Sequence, residues 1–168
     1  LTERVVSELG RLDILVNNAG GSFPQPLLDT SAMSFEQAFT FNVTTAFEMT
    51  KAAVRPMLAG GGGSVVNISS VMGHLADRGF AAYGTTKGAM THMSRITAMD
   101  LAPHIRVNAI APGSVATDAL RSVLTPELQS TMETNTPLRR LGKPEEIAAA
   151  VLYLCSPAGS YITGKVLE

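Results

Sequence analysis

Hydrophobic residues follow two rhythms along this chain. Short apolar runs occur at Asp13–Val16, Ser64–Ile68 and Ile105–Ile110, and they end in Asn-Asn-Ala-Gly-Gly, Ser-Ser and Ala-Pro-Gly respectively. Near-continuous runs of this length, closed by turn-forming residues, predict strands buried on both faces. The stretches between them carry the helical period. Ser34 with Gln37 three residues later predicts a capping box, opening a helix that runs to about Leu58 with Phe35, Phe39, Ala46, Ala53 and Met57 on its apolar stripe. Ala82–Leu101 has the same spacing and stops before Pro103. Pro144, followed by Glu145 and Glu146, starts a last helix reaching about Leu154. Lys165–Leu167 predicts a fourth strand, and Leu1–Leu12 reads as the closing turns of an amphipathic helix. Thr117–Leu141 is mixed, with weak helical signals and two prolines, Pro126 and Pro137.

Strands alternating with helices at these spacings predict right-handed crossovers and a doubly wound parallel α/β sheet. The length of 168 residues, with 45% hydrophobic and 16% charged, fits one globular domain. Thirteen Lys and Arg against fourteen Asp and Glu leave a net charge of −1, which gives no basic excess for nucleic acid. One cysteine excludes a disulfide within the chain and points to a reducing, cytoplasmic setting. No apolar stretch is long enough to span a bilayer, so no membrane partner is expected. The chain opens in mid-helix and stops at the start of a strand, so it is expected to be a fragment of a longer one.

In sheets of this kind ligands sit beyond the carboxyl ends of the strands. The polar and glycine residues gather there: Asn17-Asn18-Ala19-Gly20 after the first strand, Ser69-Ser70 after the second, Pro112-Gly113 after the third. Asn42 lies on the inward stripe of one long helix, while Tyr83 and Lys87 stand one turn apart near the start of the other. Taken singly these signals are weak. With three Tyr and four Lys, a pair at this spacing arises by chance about 0.07 times. A strand-end serine is usually a turn residue and an inward asparagine usually a satisfied buried amide. Their convergence on one crevice carries the argument. A phenol with pKa near 10 is a poor base at neutral pH, and lowering it two units takes roughly 3 kcal/mol. An ammonium about 4 Å away supplies on the order of 4 kcal/mol at an effective dielectric near 20. Lys87 can therefore make Tyr83 a working acid/base.

This set of motifs resembles the short-chain dehydrogenase/reductase family. The matching stretches are Asn17-Asn18-Ala19-Gly20, Asn42 in Phe-Asn-Val, Ser70 thirteen residues before Tyr83, Tyr83-x-x-x-Lys87 and Pro112-Gly113-Ser114-Val115-Ala116-Thr117. Leu141-Gly142-Lys143-Pro144-Glu145-Glu146-Ile147 and Ser160-Tyr161-Ile162-Thr163-Gly164 continue the match to the end of the chain. Within the family the resemblance is closest to bacterial hydroxysteroid dehydrogenases and 3-oxoacyl carrier-protein reductases. It implies a Rossmann-like fold, NAD or NADP as cofactor, and hydride exchange between a small-molecule secondary alcohol and its ketone. It further implies that Tyr83 is the general acid/base and that Lys87 also binds the nicotinamide ribose. Ser70 would stabilise the substrate oxygen, and Asn42 would hold a relay water. Asn17, Ala19 and Gly20 would line the ribose region, with Pro112, Gly113, Val115 and Thr117 at the nicotinamide carboxamide. Residues 117–141 would form a substrate lid, and the two long helices would assemble a homotetramer.

The family's opening strand, glycine-rich loop and helix, which cradle the cofactor pyrophosphate, have no counterpart in these residues. Gly60–Gly63 precedes a strand and is a turn; Gly159-x4-Gly164-Lys165 mimics a phosphate loop but continues into Val166 and a strand. A module that cannot hold a dinucleotide is therefore the alternative expectation. His74, His92 and His104 lack metal-ligand spacing with one another or with Cys155, so no metal is expected. Cys155 and the eight Met read as core, Met72 standing close enough to Ser70 to line an apolar pocket. Arg139-Arg140 reads as a solvated pair, and Glu145 and Glu146 as ordinary helix-start acids.

Overall fold

The computed structural model describes all 168 residues. Four parallel strands lie side by side in chain order: β1 (Ile14–Asn17), β2 (Gly63–Ile68), β3 (Ile105–Ile110) and β4 (Val166–Leu167). The register sets Asn17 beside Asn67 and Asn67 beside Ala109, so the strands end almost level. Helix α1 (Thr2–Leu9) precedes the sheet. Two helical runs, α2 (Ala32–Phe39) with α3 (Thr45–Ala59), join β1 to β2, and α4 (Ala81–Leu101) joins β2 to β3. Two short helices, α5 (Asp118–Arg121) and α6 (Pro126–Asn135), occupy the mixed segment, and α7 (Pro144–Cys155) leads to β4.

Alternate side chains of a strand point to opposite faces. Val65, Ile105 and Val107 therefore pack with Ala53, Met57 and Ala98 of α3 and α4, while Val66 and Ile110 pack with Leu154 of α7. Val65, Val66 and Val107 are fully buried, each stabilising the fold by roughly 1.5–3 kcal/mol. The doubly wound α/β reading is correct. Burial on both faces, however, applies to β2 and β3 and not to β1. Ile14 and Val16 share the face away from α3 and are 47% and 39% exposed.

The first long helix differs from its sequence reading in two ways. Its cap is Ser31, whose Oγ accepts the Ser34 N–H at 3.1 Å, and Ser34 instead donates its hydroxyl to the Ser31 carbonyl. Both serines carry a capping hydroxyl, so the Ser34/Gln37 spacing places the start one turn late. The run is also not a uniform α-helix. Thr40–Thr44 forms a π-turn that inserts an extra residue at Asn42. The glycine tract is the expected turn: Gly61 and Gly62 have φ of +94° and +128°, which side-chain-bearing residues rarely adopt.

Candidate active site

Asn42, at the π-turn, is wholly buried. Its Nδ2 donates to the carbonyls of Gly21 (3.0 Å) and Ala38 (2.9 Å), and its Oδ1 accepts the Gly21 N–H at 2.9 Å. The side chain thus clamps the loop after β1 in the manner of a paired strand. Both of its donors are committed; one Oδ1 lone pair remains as a group through which it could hold a water. The neighbouring glycine explains the close fit. A β-carbon on Gly20 would stand 2.6 Å from Asn42 Oδ1 and 3.0 Å from Lys87 Nζ, so only glycine lets the loop, the amide and the ammonium meet.

Lys87 is 3% exposed and reaches across the crevice to donate from Nζ to the Ile68 carbonyl at 3.0 Å. The ammonium also sits 5.6 Å from the centre of the Tyr83 ring, over its face. The structure thus sets Lys87 against the face of the Tyr83 ring. The surroundings carry a cost that spacing alone does not reveal. Burial pushes the Lys87 ammonium down to about 8, because no carboxylate offsets its lost hydration. It is still mostly charged at neutral pH, with far less margin than a surface lysine.

Ser70, 8% exposed, lies two residues past β2 and accepts the Met72 N–H on its Oγ at 3.2 Å, which leaves the hydroxyl proton to donate. The Val71 N–H donates to the Pro112 carbonyl at 3.0 Å, tying this loop to the one after β3. Asn17 differs from expectation. Its Nδ2 turns inward to Asn67 Oδ1 (2.8 Å) and Thr50 Oγ1 (3.1 Å), so that amide group braces the sheet against α3. Ala19, Gly20 and Gly113 are exposed at the crevice mouth, and Pro112 is half-buried. Val115 pairs with Gly142 in a short parallel bridge. Thr117 caps α5 by accepting the Leu120 N–H at 3.3 Å, which again leaves a hydroxyl proton.

Residues not singled out in the sequence also shape the site. Gly21 partners Asn42, and Ser69 bonds to the Lys87 carbonyl and Thr91. Gly73, Gly84 and Gly88 bring the Ser70 loop against α4. The Ser-Ser doublet and the glycines four apart were the available signals. Arg140 is not simply solvated: it holds Glu146 through two bonds of 2.8 and 2.6 Å, while Glu146 accepts the Lys143 N–H at 2.8 Å. His74 sits 3.3 Å from Glu168. Met72 does line a cleft of about 370 Å³, but this lies on the flank of α4 carrying Phe80, Ala81, Gly84 and Thr85 and touches neither Ser70 nor Tyr83 nor Lys87. No group of three or more His, Cys, Asp and Glu has metal-binding geometry, and no helix is long and apolar enough to cross a membrane.

Lys87 spends only one of its three N–H donors within the protein, and no acid competes for the others. A buried cation with free donors at the ends of parallel strands fits a sugar diol, as in the nicotinamide half of a dinucleotide. Comparisons with known proteins give the chain its relatives. A family model described as enoyl-(acyl carrier protein) reductase matches residues 1–168. An uncharacterised oxidoreductase of Mycobacterium tuberculosis is 58% identical over all of this chain, which spans 65% of that protein. The 7alpha-hydroxysteroid dehydrogenase of Escherichia coli K12 is 43% identical, with 99% of this chain and 66% of that protein covered. The solved structure of a 7alpha-hydroxysteroid dehydrogenase complexed with NADH and 7-oxo glycochenodeoxycholic acid superposes with a TM-score of 0.94 at 42% identity, covering 99% of this chain and 65% of the other. The chain therefore spans just under two thirds of the length of these relatives. With a family model matched over its whole length, relatives at 43% identity or more, and a parallel Rossmann-like sheet that superposes on such an enzyme, it belongs to the short-chain dehydrogenase/reductase family.

Proposed function

We propose that the full-length protein is an NAD(P)-dependent oxidoreductase that interconverts a secondary alcohol and a ketone, with Tyr83 as general acid/base. The observation that carries this reading is the buried Lys87 ammonium over the Tyr83 ring, in a crevice wall shared with Asn42 and Gly20. A bound nicotinamide dinucleotide supplies or takes up the hydride. The protein's task is then the proton and the charge. In the oxidative direction Tyr83, as phenolate, removes the hydroxyl proton; in the reductive direction its phenol protonates the nascent alkoxide. Lys87 stabilises the phenolate by charge and offers its remaining N–H donors to the ribose hydroxyls. Ser70 donates its free proton to the substrate oxygen, where negative charge develops. Asn42 holds the β1 loop in place and keeps a relay water beside Lys87.

Ala19, Gly20 and the backbone of Asn17 line the ribose region, while Pro112, Gly113, Val115 and Thr117 surround the carboxamide, the Thr117 hydroxyl donating to it. Residues 117–141 form the substrate lid. The hydroxysteroid relatives support an alcohol/ketone substrate. The full-length protein assembles as a homotetramer through the outer faces of α3 and α4, where Phe47, Ile96 and Met99 are exposed; a monomeric mass in sedimentation would refute that assembly. The test of the chemistry is Tyr83→Phe in the full-length protein. Turnover is expected to fall by about 10²–10⁴-fold with an unchanged circular dichroism spectrum. Retained turnover overturns the assignment.

A further inference from the structure

Ser69 has no part in the chemistry above, yet it is 4% exposed and occupies the junction between the sheet and the catalytic helix. Its backbone N–H donates to the Ile110 carbonyl at 2.7 Å, which fixes the residue to β3. Its hydroxyl donates to the backbone carbonyl of Lys87 at 2.8 Å and lies 2.9 Å from Thr91 Oγ1. A hydroxyl has one proton to give, so the Lys87 carbonyl takes it and Thr91 donates in turn to Ser69. The preceding residue, Ile68, accepts the Lys87 ammonium on its carbonyl at 3.0 Å. Two consecutive residues at the end of β2 therefore hold the same lysine by its tip and by its backbone. The residue that follows them is Ser70.

The opposite side of the junction is closed by backbone contact. A β-carbon on Gly88 would stand 2.9 Å from the Gly73 carbonyl oxygen, and one on Gly84 would stand 2.8 Å from that of Met72. The loop after Ser70 blocks α4 from rolling towards it, and the Ser69 hydroxyl stops α4 from drawing away. Packing sets a minimum separation; the hydrogen bond sets a maximum.

We infer that Ser69 is a positioning residue, whose hydroxyl fixes the rotation of α4 at Lys87 and so places Tyr83 and Lys87 relative to Ser70. The inference rests on the reading of Tyr83 as the acid/base. Few other charges reach this junction. Asn17–Gly21, Thr40–Thr44 and Ile68–Gly73 contain no titratable side chain. Glu36 of α2 is exposed, Arg106 of β3 is bonded to the Ile162 carbonyl, and His74 is paired with Glu168. The pH profile of turnover thus reports Tyr83 and Lys87 as a coupled pair. Drawing an ammonium about 1 Å away from an anion that it stabilises weakens the attraction, so at an effective dielectric near 20 the rising limb of turnover moves to higher pH by about half a unit.

The experiment compares pH profiles of kcat for alcohol oxidation in the full-length wild type and in the Ser69→Ala, Thr91→Val, Thr91→Ser and Tyr83→Phe variants. Ser69→Ala is expected to move the rising limb upward by about half a pH unit. Thr91→Val should move it less, since Ser69 still reaches Lys87, and Thr91→Ser, which keeps the hydroxyl, should match wild type. If Ser69→Ala and Thr91→Val lower Tm but leave the limb in place, Ser69 is only a structural residue and the inference falls. Should Ser69→Ala not fold, the Thr91 pair decides: a shift in the Val variant alone supports the inference, and coincident profiles overturn it. Tyr83→Phe separates the two claims. If it retains wild-type turnover, the acid/base reading fails; if it is inactive while the Ser69→Ala limb is unmoved, the positioning inference alone fails.

Discussion

Between Gly73 and Gly88 two stretches of backbone touch, whereas between Asp118 and Asn135 no residue of either helix is buried. The first region carries the groups that would do the chemistry, and its lysine is tied to the end of β2. The second region, the proposed lid, is held almost entirely by local rules. Thr117 and Thr125 cap its two helices, and Pro126 opens the longer one. Its tie to the rest of the molecule is at the neck. There the Ala116 N–H donates to the Gly142 carbonyl at 2.9 Å, the Gly142 N–H donates to the Ser114 carbonyl at 2.9 Å, and Arg140 holds Glu146. A proton transfer needs the same geometry for every substrate, and close-packed backbone supplies it. A cover that must admit and release ligand gains from helices with little buried area, which open at small cost.

Substituting at the ends of this contrast should separate it most. Lys87→Met in the full-length protein removes the charge that makes Tyr83 a base, and turnover should fall by at least about 10²-fold. Its effect on stability should have the opposite sign. The folded-state value of Lys87 is lowered from 10.5 to about 8, so between those values the unfolded chain binds more protons. Wild-type stability should therefore gain a contribution as pH rises from about 8 to 10.5, amounting to about 3 kcal/mol over the whole window. Denaturant titrations at both ends of that window should show the gain in wild type and none in Lys87→Met. An equal rise in both would mean that the lysine is not desolvated.

A smaller effect is expected from opening the glycine seam. Gly88→Ala places a methyl against the Gly73 carbonyl, forcing a backbone shift that should cost about 1–3 kcal/mol and lower kcat. Unchanged kcat with reduced Tm would show that the seam is structural only. At the lid neck, Glu146→Gln should raise KM several-fold with kcat nearly constant, because it loosens the cover and not the catalytic wall. Glu146 is held at about 2, first by the Arg140 hydrogen bonds and then by the Lys143 N–H. Its contribution is thus present above the ordinary value of 4.5 and lost only as pH falls through about 2, so the KM difference should be constant across neutral pH. A kcat loss exceeding the KM change would place the neck within the catalytic assembly. The mildest probe is brief trypsin treatment. Cleavage should begin after Arg121 or Arg139, in the exposed segment, before any cut in α4. First cleavage within α4 would reverse the comparison.

The two regions also differ in how far their sequences can be read. β3 begins and ends where the apolar run does, and α4 and α7 start and stop within a residue of the positions set by periodicity and proline. Ser70, Tyr83 and Lys87 could be singled out because they stand at set spacings on elements whose ends could be placed. The start of α2 was not, since Ser31 and Ser34 offer the same hydroxyl and only the final geometry chooses between them. The π-turn at Asn42 could not be read from the stripe of Phe35, Phe39, Ala46, Ala53 and Met57, for one inserted residue turns it by about 100°, roughly the width of one apolar helix face. Arg140 and Glu146 looked like unrelated surface charges until the neck brought them to 2.6 Å.

Strand and helix order, the parallel sheet and the residues available for chemistry follow from the chain alone, because periodicity, capping and turn chemistry act over a few residues at a time. The inward turn of the Asn17 amide, the fall of Lys87 to about 8 and the grip of Ser69 on α4 do not. Each depends on atoms 18 or more residues apart, or on water excluded by such atoms. Desolvation and long-range hydrogen bonds exist only once the sheet and helices have closed around them, and at that step a tyrosine and a lysine one turn apart became a shared electrostatic site.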